Sequence, residues 1–355
     1  MKDLWNKFTK WFKSDNHALI VLPLILIAMG AIAIYAIAPY YHLDIFERYL
    51  PFLAVSVGLL FACSYLSKKW VIRICFALGI IGMLFILKTI IAPTIIAGSA
   101  RYIQIGNAYI DVYLFNLPAY IVLMSHWLSK KLTKPISSMA CISLLTLFIV
   151  CAAFMAPYIF MVQVYSLLFV LLTFKARKNI PELSKAYIIA LLMLVVVMVL
   201  AVLTLPHVQL RLLNEFYADR YTGLWYVKNM VINSQFIGTN STALNYLSNV
   251  PNSVSDYMLY SIGARFGIVA LLAVLLAECG LISKLCRKTI GNKDNFAKMV
   301  LIGTITLLSI GVFAQLFAPI IRSVHWYLPF VSFGGTALFV FCILIGFAGA
   351  LNRKK

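Results

Sequence analysis

"WYLPFVSFGGTALFVFCILIGFAGAL" occupies residues 326–351. Beyond Gly335 it carries no Asp, Glu, Lys or Arg, and an apolar run of about 20 residues is what a helix needs to cross a bilayer core. Pro329 and the pair Gly334-Gly335 stand where that helix should begin. Irregular backbone at membrane depth survives only where it is buried in protein or lines a wet cavity. Paired glycines let backbones approach closely. Two readings follow: tight packing through small residues, or a cavity lined by Ser332, Gly334 and Gly335.

The rest of the chain has the same character. Of 355 residues, 63% are hydrophobic and 12% charged, where a soluble domain carries about 25% charge. Apolar runs predict about ten membrane helices, over 18–38, 50–66, 70–90, 113–128, 138–156, 157–174, 186–205, 257–282, 298–318 and 333–351. Pro157 divides the long 138–174 run, because proline breaks helices. The expectation is an all-α polytopic membrane protein forming a single integral membrane domain over 1–355.

The net charge of +19 records topology. Basic clusters sit at Lys2–Lys13, Lys68–Arg73, Lys130–Lys134, Lys175–Lys185, Lys284–Lys298 and Arg353–Lys355. Positive charge flanks the cytoplasmic ends of membrane helices, which puts both termini in the cytoplasm. The basic surface then meets anionic membrane lipid, and no nucleic-acid partner is expected. Residues 1–17 read as a cytoplasmic amphipathic tail before a retained anchor, the first span being too long for a signal-peptide core. The seven cysteines include no CxxC pair and none in a predicted outer loop, so no disulfide framework is expected. Five scattered histidines offer no dedicated metal site.

Two connections on the outer side are long: 91–112 and 206–256, the latter a large loop between helices 7 and 8. Its aromatic and leucine content suits the membrane interface, and such loops usually carry function. It ends in "VPNSVSDYMLYSIGARFG" (250–267). Asp256 opens an apolar helix there, and Arg265 follows nine residues on, about 13 Å deeper and on the opposite helix face. Ser253-x-x-Asp256 has the spacing of a capping box, and an acid at a helix start suits the dipole.

Three stretches together resemble the SEDS family of FtsW, RodA and SpoVE. They are "LPFVSFGGTAL" (328–338), "GSARYIQIG" (98–106) and the 250–267 stretch with Pro251 and Asp256 in register. The resemblance implies a peptidoglycan glycosyltransferase of the bacterial cytoplasmic membrane. It would polymerise lipid II on the outer face during growth, division or sporulation, with a class B penicillin-binding protein as partner. It places the catalytic carboxylate on Asp256 and a loop arginine on Arg101. The chain also departs from the family. A Glu and a Lys of the family fall on Leu114 and Leu117, and a Glu-Glu pair on Ala264-Arg265.

Sugar polymerisation requires an acceptor hydroxyl made nucleophilic, which a carboxylate in hydrogen-bond reach can do. A pyrophosphate leaves without needing a proton, so one acid suffices, whereas glycosidases use two. Cations must meet the leaving pyrophosphate. Arg101, Arg211 and Lys228 are the candidates, with Arg220 and Arg322 behind them. Arginine's planar fork suits phosphate, while headgroup contact and snorkelling are the plainer uses of such residues. Trp225, Tyr226, Trp326 and Tyr327 could stack on sugar or form an interfacial belt. A divalent cation, Mg or Mn, could bridge the pyrophosphate, with no dedicated ligands in the sequence. Two other readings stand beside this one: a catalytically silent scaffold for a penicillin-binding protein, and a lipid-linked precursor transporter. The lack of an internal repeat weighs against the transporter.

Overall fold

The computed structural model describes residues 18–41, 45–95, 99–106, 108–129, 135–177, 223–250, 252–318 and 326–352, with scattered positions between 188 and 209. The chain is an all-α polytopic membrane protein, with one small hairpin among the described residues. Among the described residues six helices are long and apolar enough to cross a membrane, with shorter apolar helices at Met139–Met155 and Gly335–Leu351. Backbone polar groups in lipid must be satisfied within the segment, so apolar runs of this length fold as helices. The expected span at 186–205 and the adjoining loop to 222 lie outside the described residues, apart from those scattered positions.

The chain forms two compact units. The first holds α1 (Ala18–Ile37), α2 (Ile45–Ser64), α7 (Gly223–Ile232), α8 (Ser241–Leu247), α9 (Met258–Phe266), α10 (Ile268–Gly291) and α12 (Gly335–Leu351). The C-terminal end of α11 (Asn295–Phe317) belongs to it as well. Helix α12 lies along α2, with Phe52 against Phe339 (centroids 5.6 Å) and Tyr49 against Phe333 (5.9 Å). Most of α12 is buried all round, as a helix apolar on every face should be.

The expected helix 257–282 is two helices. Gly267 separates α9 from α10 with φ 94° and ψ 169°. This is backbone that essentially only glycine adopts. The main chain of 235–238 laces the break. Ile268 N donates to Gln235 O (2.9 Å), Val269 N to Phe236 O (3.1 Å) and Gly238 N to Phe266 O (3.0 Å). These bonds satisfy amides and a carbonyl that a broken helix would orphan. Arg265 therefore does not lie deep inside a spanning helix. It stands at the end of α9, just before the helix long enough to span. Its Nη1 donates to Thr239 Oγ1 (2.8 Å) and its Nε to Ala36 O (3.3 Å), in the last turn of α1. A cation there complements the helix dipole.

The second unit holds α3 (Lys68–Ile91), α4 (Val112–Ser129), α5 (Pro135–Met155), α6 (Ile159–Arg177) and the start of α11. The chain breaks at Pro157 as expected, between α5 and α6. Strands β1 (Tyr102–Ile105) and β2 (Ala108–Asp111) pair antiparallel, Tyr102 opposite Asp111 and Ile105 opposite Ala108. Buried hydroxyls tie the helices together: Tyr165 donates to Tyr113 O (2.7 Å), and Tyr120 lies 2.9 Å from Thr146 Oγ1.

Candidate functional site

Asp256 sits half-buried in the turn 252–257, immediately before α9. The turn is tight: Ser255 N and Asp256 N both donate to Asn252 O (3.0 and 2.8 Å), with Asn252 at φ 58°. The capping-box reading is not realised. Helix α9 begins at Met258, has Tyr257 as its N-cap with no side-chain bond, and has no acid in its first turn. Ser253 Oγ is buried with no hydrogen-bond partner among the described residues.

The "LPFVSFGG" segment docks onto this turn. Phe333 N donates to Val254 O (2.8 Å). Ser332 Oγ donates to Ser255 O (2.8 Å) and accepts from Leu328 N (2.8 Å). Phe330 is held at φ 61°, fully buried, against Phe341 (centroids 5.7 Å). A bulky residue in left-handed backbone costs on the order of 1–3 kcal/mol and persists only when its surroundings over-determine it. The motif is thus a preorganised platform, and Asp256 projects from the turn it carries.

Ser332, Gly334, Gly335 and Lys228 all belong to this first unit. Ser332 is buried and its hydroxyl is engaged on both sides, so it pins the Asp256 turn. A Cβ on Gly334 would lie 2.7 Å from the Tyr327 ring, and one on Gly335 would run into Phe52. Both glycines accommodate protein rings, the packing reading of the two offered by the sequence. Lys228 is exposed on α7. Trp225 and Tyr226 cluster with Tyr246 of α8, while Trp326 is buried. Arg211, Arg220 and Arg322 lie outside the described residues.

Arg101 belongs to the second unit, and the sequence reading missed its partner. The hairpin register sets Tyr102 opposite Asp111, which brings Arg101 Nε to 3.7 Å from Asp111 Oδ2. The guanidinium also lies 4.3 Å from the Tyr158 ring and 4.8 Å from the Tyr102 ring, and donates to Tyr102 Oη (2.6 Å). Ser99 Oγ donates to Ala156 O (2.8 Å), fastening this loop to the Pro157 turn. Asp111 is buried and caps α4, accepting from Leu114 N (3.1 Å). The readable signal was Gly106-Asn107 between two short alternating runs, a hairpin signature. A second residue, Gln315, is the one side-chain amide in the apolar stretch 299–317 of α11. Its amide bonds to the Asp256 turn.

Burial pushes the Asp111 carboxyl above its ordinary 3.8, while Arg101 and the Leu114 amide pull the other way. The folded state therefore holds this proton more tightly than the unfolded chain. The stability it contributes is greatest below the unfolded value and falls as pH rises through the folded one. Asn keeps the cap and loses the charge. The melting temperature of Asp111→Asn should rise relative to wild type as pH increases above about 4. Asp111→Ala, which also loses the cap, should be less stable than Asp111→Asn by about 1 kcal/mol. Thermal unfolding in detergent measures both.

The sequence matches the cell cycle protein family of FtsW, RodA and SpoVE over residues 16–355. It is 27% identical over 144 residues to the probable peptidoglycan glycosyltransferase FtsW of Enterococcus hirae. That match covers 40% of this chain and about a third (34%) of that relative. The fold is similar to a chain of a peptidoglycan synthase complex, solved in a study of coordinated polymerization and crosslinking. There the TM-score is 0.76 at 17% identity, covering 95% of this chain and 97% of that one. It is also similar to the rod shape determining protein RodA of Thermus thermophilus, with a TM-score of 0.63 at 15% identity over 95% and 96% of the two chains. A point variant of that RodA gives 0.66 at 14% identity over the same shares. At these identities the structural likenesses speak for the fold, and the sequence match over nearly the whole length speaks for descent. The chain belongs to the FtsW/RodA/SpoVE family of cell cycle proteins.

Proposed function

We propose that this protein is a peptidoglycan glycosyltransferase that polymerises lipid II at the outer face of the bacterial cytoplasmic membrane. The observation that carries the reading is the docking of the Asp256 turn. The carbonyls of Val254 and Ser255 are received by Phe333 N and Ser332 Oγ, so the acid leaves a fixed backbone just before the short helix α9 that leads into α10. In the proposed reaction the acceptor hydroxyl of incoming lipid II attacks the anomeric carbon of the donor strand. The hydroxyl proton passes to the Asp256 carboxylate. The bond from that carbon to the lipid pyrophosphate breaks, and the pyrophosphate departs with the electron pair. Arg101, Arg211 and Lys228 are the proposed cations for the pyrophosphate. Arg101 meets it already paired with Asp111, so it acts as a hydrogen-bonding fork more than as a free charge.

A divalent cation would take its ligands from the pyrophosphate itself; no group of three His, Cys, Asp or Glu side chains among the described residues is placed to hold one. A class B penicillin-binding protein, cross-linking the product, is the proposed partner. The scaffold reading keeps one observation in its favour: Ala264-Arg265 replaces two family acids, and Arg265 is spent on Thr239 and Ala36. Incubating the purified protein with fluorescent lipid II, alone and with candidate class B partners, separates the two. Glycan ladders support the enzyme. Their absence with every partner, together with tight partner binding, favours the scaffold.

A further inference from the structure

We infer that Gln315 is the positioning residue of this site, its buried side-chain amide fixing the backbone from which the Asp256 carboxylate projects. This rests on the reading of Asp256 as the base.

Gln315 is fully buried near the C-terminal end of α11. Its Nε2 donates to Ser255 O (3.2 Å), Asp256 O (2.9 Å) and Trp326 O (2.5 Å). Its Oε1 accepts from Leu259 N (3.1 Å). A primary amide has two N–H donors and one carbonyl acceptor, so three carbonyls share two hydrogens and the donor end is saturated. One side chain thereby joins the Asp256 turn, the first turn of α9 and the residue that leads into the "LPFVSFGG" segment.

Two consequences follow. Leu259 N is one of the amides that every helix start leaves unpaired. Gln315 takes it from a neighbouring helix. Moreover, both carbonyls bracketing the Asp256 amide plane and its successor are held, that of Ser255 by two donors at once. The peptide on either side of Asp256 cannot rotate without breaking a part-buried bond, and a shielded carbonyl left unmatched is costly. Fixing the backbone fixes the direction of the Cα–Cβ bond, which sets where the carboxylate can reach. Tyr260 Oη, donating to Leu316 O (2.7 Å), braces the same junction one residue along.

The test uses the full-length protein, with its class B partner where activity requires one, and fluorescent lipid II as probe. Gln315→Met, nearly equal in volume, removes every polar contact. It should fold and lower kcat by about ten- to a hundred-fold, the scale of a small misplacement. KM should stay within about two-fold, as for a group that does not bind substrate. Gln315→Glu adds a signature that a space-filling role would not give. Its carboxylate faces three carbonyl oxygens, and protonation returns one O–H donor. The ratio of its kcat to that of wild type should therefore rise as pH falls. An unchanged kcat per folded Gln315→Met molecule, or a flat Gln315→Glu ratio, overturns the proposal. Should Gln315→Met not fold, the Gln315→Glu ratio decides alone. Asp256→Asn in the same assay separates the two ideas. If it is inactive while Gln315→Met is normal, only the positioning role is lost. If it polymerises like wild type, the base reading falls and the positioning role falls with it.

Discussion

Replacing Asp256 with Asn is expected to lower lipid II polymerisation by about a hundred- to ten-thousand-fold, the usual contribution of a general base, and to leave the folded protein in place. The second half of that expectation comes from the hydrogen bonds. The turn is held through main-chain atoms of residues 252–256, donated to or accepted by Phe333, Ser332, Gln315 and Asn252. Asn alters none of those atoms and matches Asp in size. Expression and melting temperature should therefore stay near wild type while glycan ladders disappear. Ladders of normal length from the variant would remove Asp256 from the chemistry. If the variant also restored growth to cells lacking the protein, the scaffold reading would take the place of the enzyme.

Gly267→Ala is expected to destabilise the first unit by about 2–6 kcal/mol, from two costs. Non-glycine backbone in this region costs on the order of 1–3 kcal/mol, and overpacking costs about 1–3 kcal/mol. The new Cβ would lie 2.7 Å from Phe236 O, 2.8 Å from Ile237 Cα and 3.0 Å from Gly238 N. All three are backbone atoms of the segment that laces the α9–α10 break, so no flexible side chain can move aside. Gly280→Ala is the control: it sits inside α10 with nothing within 4 Å of its Cβ, and alanine favours a helix interior by about 1 kcal/mol over glycine. The two variants should melt on opposite sides of wild type. A Gly267→Ala protein as stable as wild type would mean the joint is not held in this conformation. Activity should fall with Gly267→Ala as well, because α9 carries the end of the Asp256 turn.

Helices were legible wherever an apolar run was long and uninterrupted, as at 18–37, 68–91 and 335–351, and the break at Pro157 was legible because proline acts locally. Asp256 was legible as a lone acid at the mouth of an apolar run. Arg265 was misplaced for a physical reason. A glycine inside an apolar run is compatible with a continuous helix, and what breaks the helix at Gly267 is hydrogen bonding to residues 235–238, some thirty positions away. Asp111 escaped notice because its pairing with Arg101 depends on strand register. Gln315 had a signal, a polar amide alone in a spanning run, but its partners lie on segments that no spacing rule connects to it.

The sequence by itself determined that this chain lies in a membrane as helices, because lipid offers backbone groups no partner outside their own segment. It also marked the acid and the Pro- and Gly-containing entrance around it. Only the tertiary structure decided where α9 ends and α10 begins, that Arg101 is paired, that Ser332 hydrogen-bonds to the Asp256 turn while the two glycines lie against protein rings, and which side chain holds the Asp256 backbone. Burial of an apolar run depends on composition, which can be read along the chain. A hydrogen bond between distant residues depends on where the fold brings them, which cannot.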